Sequence, residues 1–176
     1  MTCLDDLGQR ICVMGPSNSG KSTLANAIAR KRGLPVVHLD RLFHEPNTDW
    51  QPRAEAEFIS LHDAAIKGES WVMEGNYTRC ITQRLARATG LILLDVSTAT
   101  SLLRYFRRTW FERHRPGALE GSVDSIKWQM IHHIAVVTPA NRRRYAEMFE
   151  SIDLPKLKLV QADAINRFCQ LERLGI

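Results

Sequence analysis

Gly15-Pro16-Ser17-Asn18-Ser19-Gly20-Lys21-Ser22 fits the pattern G-x-x-x-x-G-K-[ST] at every fixed position. An apolar run, Ile11-Cys12-Val13-Met14, leads into it, and a helical pattern on Leu24, Ala27 and Ile28 leads out. Strand, loop and helix in that order form the setting of a phosphate-binding P-loop. The spacing has a chemical cause. Successive backbone N–H groups curl around a polyphosphate, and Gly15 and Gly20 allow backbone angles that a side chain would forbid. The helix N-terminus adds its partial positive charge. Lys21 is placed to reach β/γ oxygens, and the Ser22 hydroxyl to take one position on Mg²⁺.

Working outward, the pattern alternates. A first strand is expected at 10–14 and a helix ending near Gly33. Val36-Val37-His38-Leu39 reads as a short strand closing on Asp40. A loop with Pro46, Trp50 and Pro52 precedes a helix carrying Phe58, Leu61, Ala65 and Ile66, stopped by Gly68. Trp71-Val72-Met73 is a third strand ending at Glu74-Gly75-Asn76, and Ile81, Leu85 and Ala88 mark another helix. The run Leu91–Val96 reads as a strand covered on both faces. Ser97 is placed to cap a long helix with an apolar stripe of Leu102, Leu103, Phe106 and Trp110. Pro116-Gly117 breaks it. Helical patterns follow around Ile126–Val137 and Tyr145–Phe149, then a fifth strand at 156–160 and a terminal helix with Ile165, Phe168, Cys169 and Leu171. Five strands alternating with helices predict a parallel three-layer α/β domain.

Length and composition agree with one such domain. The chain has 176 residues, 44% hydrophobic and 24% charged, which is globular in character. No apolar run approaches a membrane span, and the first seven residues are too short and acidic for a signal peptide. The four cysteines form no C-x-x-C pair and read as free thiols, with the cytoplasm as the default expectation. The net charge of +5 is uneven. Between Ser101 and Glu150 nine basic residues, eight of them arginine, face five acidic ones. Arginine is the side chain best shaped for bidentate phosphate contacts. A solvated helix face, a nucleic-acid surface and a cluster for nucleotide phosphates all fit such a run, and the upstream P-loop favours the last.

In open α/β sheets the site lies beyond the C-terminal ends of the strands. Asp40, Glu74 and Asp95 each end or nearly end a strand. Glu74 is expected to hold Mg²⁺ through water beside the P-loop. Asp40 could orient or deprotonate an acceptor hydroxyl, or bind a substrate base. Asp95 reads equally as a cap or a site residue. Trp50, a large aromatic in a Pro-flanked loop, is suited to stacking on a substrate ring. Trp110 and Trp128 are expected in the core, and His132-His133 lack zinc-ligand spacing. There is no N-K-x-D element for guanine, no helix-turn-helix signature and no aromatic RNA-binding motif.

Together Gly15–Ser22, His38-Leu39-Asp40, Asp49-Trp50, Trp71–Tyr77, Arg84 and Leu91–Asp95 resemble adenylate kinase-related P-loop proteins, most closely the bacterial DNA topology modulation (FlaR-like) group. The resemblance spans nearly the whole chain. It implies a nucleoside/nucleotide kinase-like fold with strand order 2-3-1-4-5 and a helical, arginine-bearing lid at about 104–145. It also implies that Gly15, Pro16, Ser17, Asn18, Ser19, Gly20, Lys21, Ser22 and Thr23 bind ATP phosphates, with Mg²⁺ on Ser22 and Glu74. Lys21, Asp40, Arg84, Arg104, Arg108 and Arg113 become catalytic candidates, with Arg115 a further lid arginine. Asp40, Trp50 and Asn76 would face the acceptor, and Gln161-Ala162-Asp163 would lie near the adenine. Adenylate kinases follow the third strand with D-G-[FY]-P-R, whereas this chain reads Glu74-Gly75-Asn76-Tyr77-Thr78. AMP is therefore not carried over as the acceptor.

Two functions follow from this reading. The first is an ATP-dependent phosphotransferase acting on a small acceptor. The second is a nucleotide-dependent nucleic-acid-binding or regulatory protein using the basic 101–150 region. The direction in which the arginines point separates them.

Overall fold

The computed structural model describes residues 2–48, 50–111, 128 and 138–175. Five parallel strands form one sheet: β1 (Arg10–Met14), β2 (Val36–His38), β3 (Trp71–Glu74), β4 (Gly90–Asp95) and β5 (Lys156–Val160). Their order is β2-β3-β1-β4-β5, as the resemblance implied. The helices are α1 (Lys21–Arg32), α2 (Leu39–Phe43), α3 (Glu55–Ala65), α4 (Ile81–Arg87), α5 (Thr98–Phe111), α6 (Thr138–Ser151) and α7 (Gln161–Leu171).

Strand periodicity produces the three layers. Alternate side chains leave opposite faces of a strand, so a sheet sandwiched by helices must be apolar at every position. In β1, Ile11 and Val13 join the layer with Leu24 and Ile28 of α1 and Ile165 and Phe168 of α7. Cys12 and Met14 join the opposite layer with Trp71, Met73, Leu91 and Leu93, closed by Tyr145 and Phe149 of α6. Gly33, at φ +65°, ends α1 in the left-handed conformation common at helix C-termini.

Some local expectations change. β2 stops at His38, and Leu39-Asp40 open a short helix instead of extending the strand. Leu39 is fully buried against Gly75, whose φ of +133° and closeness to Leu39 leave no room for a Cβ. The chain must therefore turn there, and Asp40 falls in a first helical turn, where the helix dipole favours an acid. Ser97 caps α5 as expected, accepting the Thr100 N–H at 3.1 Å. The buried face of α5, however, holds Ser101 and Tyr105, while Leu103 is 70% exposed. Hydrophobicity alone had pointed Leu103 inward, but the helix docks about one residue round. Trp128, expected in the core, is exposed, and so is Leu171 on the terminal helix. Gln161 begins α7 directly after β5, so residues 161–163 form a helical first turn and no loop. Trp110's side chain and His132-His133 lie outside the described residues.

Candidate functional site

Between β1 and α1 the loop is shaped by backbone angles. Gly15 sits at φ +149°, Asn18 at +59° and Gly20 at +97°. A Cβ on Gly15 would lie 2.6 Å from the Leu94 carbonyl oxygen, so only glycine lets the loop cross the end of β4. Ser17 and Thr23 line the outer side, while Pro16 and Ser19 are buried. The Lys21 ammonium lies back across the loop and donates to the Pro16 carbonyl at 2.9 Å.

The Ser22–Glu74 pair forms across two strands. β1 and β3 are parallel neighbours with Val13 opposite Glu74, and α1 starts from the end of β1. That geometry brings the Ser22 hydroxyl to 2.9 Å from Glu74 Oε1. Glu74 is only 3% exposed. Burial pushes its carboxyl up, but the hydrogen bond from His38, the charge of Lys21 and the Ser22 hydroxyl together hold it below the usual value. The result is an ionised carboxylate and a hydroxyl side by side beneath a lysine. Hard oxygen donors of this kind suit Mg²⁺, which keeps most of its waters, so the residues fit that ion.

Asn76, expected at the acceptor, is engaged elsewhere. Its Nδ2 donates to the Gly15 carbonyl at 2.6 Å, and its Oδ1 accepts the Gly15 N–H at 3.1 Å. The amide therefore clamps the first residue of the loop, and its N–H side lies close enough to the Tyr145 hydroxyl of α6 to pull that pKa down against burial. Asp95 accepts from Arg142 of α6, through Nε at 2.8 Å and Nη2 at 2.5 Å, with the Lys158 ammonium at 3.9 Å. It ties α6 to the sheet and caps no helix.

Asp40 receives the Tyr77 hydroxyl at 2.7 Å. Burial first, then the Asp40 charge, raise the Tyr77 pKa, so Tyr77 remains a donor and fixes the carboxylate. Around it lies an aromatic group. Phe43 stands 4.8 Å from Tyr77 and 5.2 Å from Phe58, and His44 meets Trp50 edge-on at 5.1 Å. The Trp50 loop is folded back as a narrow finger, held by Glu45 N–H to Gln51 O and Arg53 N–H to Phe43 O, both at 2.8 Å. Trp50 itself takes φ +60°, a strained angle for a bulky residue.

Of the arginine candidates, Arg104 reaches the loop. Its Nη1 donates to the Ser19 carbonyl, and burial, then repulsion from Arg107, pull its pKa down. Arg84 is only 1% exposed, with Nη2 donating to the Gly75 carbonyl at 3.3 Å, so it supports the turn after β3 from inside the core. The Arg108 side chain, Arg113 and Arg115 lie outside the described residues. Sequence reasoning missed the contacts of His38, Tyr77 and Tyr145, whose partners are distant in the chain, and of Asn26, which matters through His38.

The comparisons bear on the fold. The family model for isopentenyl transferase matches residues 9–47, the segment carrying the loop and Asp40. No curated protein matches. A shikimate kinase from Bacteroides thetaiotaomicron superposes with a TM-score of 0.55 at 19% identity, over 94% of this chain and 99% of that one. A gluconokinase from Sinorhizobium meliloti gives 0.49 at 14%, over 95% of both. The fold is the three-layer α/β fold of the nucleotide kinases.

Proposed function

We propose that this chain is an ATP-dependent phosphotransferase of the nucleoside/nucleotide kinase type, moving the γ-phosphoryl of ATP to a hydroxyl of a small acceptor. The observation that carries the reading is the convergence of Lys21, the Ser22–Glu74 pair and Asp40 on one edge of the sheet. Gly15 to Thr23 hold the triphosphate through backbone N–H groups, and Lys21 moves from Pro16 onto the β/γ oxygens. Ser22 would hold Mg²⁺ directly and Glu74 through water, and the ion would supply charge neutralisation for the phosphates. Asp40, oriented by Tyr77, accepts the hydroxyl proton as the acceptor oxygen bonds to phosphorus and the β–γ bridge breaks. Trp50 and the rings of Phe43 and Tyr77 form the apolar side of the acceptor site.

Arg104 turning toward the loop supports a lid at about 104–145, with Arg108, Arg113 and Arg115 as its further arginine candidates. The topology modulation resemblance belongs to the alternative reading, a nucleotide-dependent nucleic-acid-binding or regulatory protein using the basic 101–150 region.

The test is ATP turnover against a panel of nucleotides, nucleosides and small hydroxy compounds, with DNA as a separate arm. Phosphorylated product from one class, lost in Lys21→Ala, is the expected result. Unchanged turnover and ATP affinity in Lys21→Ala would sink the reading. DNA binding stimulated by ATP without any phosphorylated product would transfer it to the regulatory alternative.

A further inference from the structure

Four residues form a closed hydrogen-bonded ring that begins and ends at Ser22. Asn26, one turn along α1, donates from Nδ2 to the Ser22 carbonyl at 2.7 Å. A carbonyl only accepts, so this contact fixes which end of the Asn26 amide is nitrogen. The same Nδ2 lies 3.2 Å from His38 Nε2, and with a donor facing it Nε2 presents its lone pair. The ring proton is thereby assigned to Nδ1, which donates to Glu74 Oε1 at 2.9 Å. The Ser22 hydroxyl donates to that same oxygen, also at 2.9 Å, and completes the circuit.

Both donors converge on Oε1. Among the described residues no hydrogen bond reaches Oε2. His38 and Glu74 are 6% and 3% exposed, so bulk water competes little with either bond. The sheet register supports the contact, since β2 and β3 run parallel with His38 opposite Glu74. A buried carboxylate gripped at one oxygen from β2 and from α1 is restrained in its orientation, and its second oxygen is left for another partner.

We propose that His38 is a positioning residue. Its Nδ1–H, set by Asn26, locks Glu74 Oε1 and leaves Oε2 to hold the water shell of Mg²⁺. The proposal rests on the Mg²⁺–ATP reading of the site and adds a part that the P-loop motif does not contain. Ser22 keeps its lone pairs for the metal, because its proton is directed to Glu74. Partners behind metal-binding groups set ligand orientation, and their loss lowers metal affinity or activity by about 10- to 100-fold.

Two substitutions separate donor from bulk. His38→Asn places its amide N–H where Nδ1 stood, and His38→Leu keeps volume without a donor. The affinity of a non-hydrolysable ATP analogue is measured by calorimetry with and without Mg²⁺, alongside melting temperatures. The expected result is a loss of about tenfold in the Mg²⁺-dependent gain for His38→Leu and within about threefold for His38→Asn. Metal-free analogue affinity should stay level in both. If His38→Leu does not fold, His38→Gln replaces it, since its longer side chain carries the amide to the Nε2 position. Nitrogen-15 correlation spectra of the unaltered, nucleotide-free protein should place the His38 proton on Nδ1. Equal Mg²⁺ gain in all variants, or the proton on Nε2, would overturn the proposal alone. Absence of any Mg²⁺-dependent gain in the unaltered protein would overturn the reading of the site and the proposal with it.

Discussion

Replacing Asn76 by alanine tests whether the residue serves the loop or the acceptor. In the structure it exchanges two hydrogen bonds with Gly15, at 2.6 and 3.1 Å. Gly15 is buried, so losing both bonds leaves an N–H and a C=O without partners. Each such group costs about 1–3 kcal/mol when water stays out. Asn76 is itself half-buried, so water can enter part of the space, and the sum should fall near the low end, about 2 kcal/mol. For a chain of this size that lowers Tm by about 4–8 °C. The loop that must present its N–H groups to phosphate is then less ordered. KM for ATP should therefore rise more than KM for the acceptor. Asn76→Asp should be at least as damaging, because it sets a carboxylate oxygen against the Gly15 carbonyl. Urea titration measures the first quantity and steady-state kinetics the second. A stability change under about 0.5 kcal/mol, with only the acceptor KM raised, would refute the clamp and return Asn76 to the acceptor site.

Three other outcomes follow from the geometry. Glu74→Gln keeps the shape but removes the charge, so it should weaken Mg²⁺-dependent activity more than metal-free nucleotide binding; equal losses would make Glu74 structural. Because the folded carboxyl titrates below its ordinary 4.5, its stabilising contribution is present above that pH and lost as pH falls through the lowered value. The acid limb of a stability–pH curve should therefore be shallower in Glu74→Gln. Arg104→Ala should reduce turnover by about 10- to 100-fold with little change in acceptor KM, since a cation at the Ser19 carbonyl acts on phosphate charge; unchanged turnover would remove Arg104 from the lid. Thiol titration of the native protein should label Cys3 first. Cys12 is fully buried, and burial pushes its thiol up to about 11 despite the opposing charge of Arg84, so rapid Cys12 labelling would contradict the packing.

How much of the molecule could be read in one dimension depends on whether a feature is local. The P-loop is eight consecutive residues with fixed backbone demands, and the strand before it and helix after it are set by their own periodicities. β1, β5 and the end of α1 at Gly33 lie where the pattern put them. β2 ended one residue early, because the closeness of Leu39 to Gly75 across the sheet, invisible in the local pattern, decides the turn. The face of α5 failed for a related reason. A helix with apolar residues on two sides can dock on either, and here Ser101 and Tyr105 are the buried positions.

The site divides along the same line. Residue type and position alone set Lys21 and Ser22 on a P-loop and Glu74 beside them, since the motif is consecutive and the acid ends the adjacent strand. The jobs of Asn76, Asp95, Arg84 and His38 were decided only in three dimensions. Asn76 lies 61 residues from Gly15, Arg142 lies 47 from Asp95, and Glu74 lies 36 from His38. A side-chain amide, a carboxylate or an imidazole serves equally as ligand, cap or clamp. Which of these it becomes depends on the donor or acceptor that sheet register brings within about 3 Å, the range of a hydrogen bond.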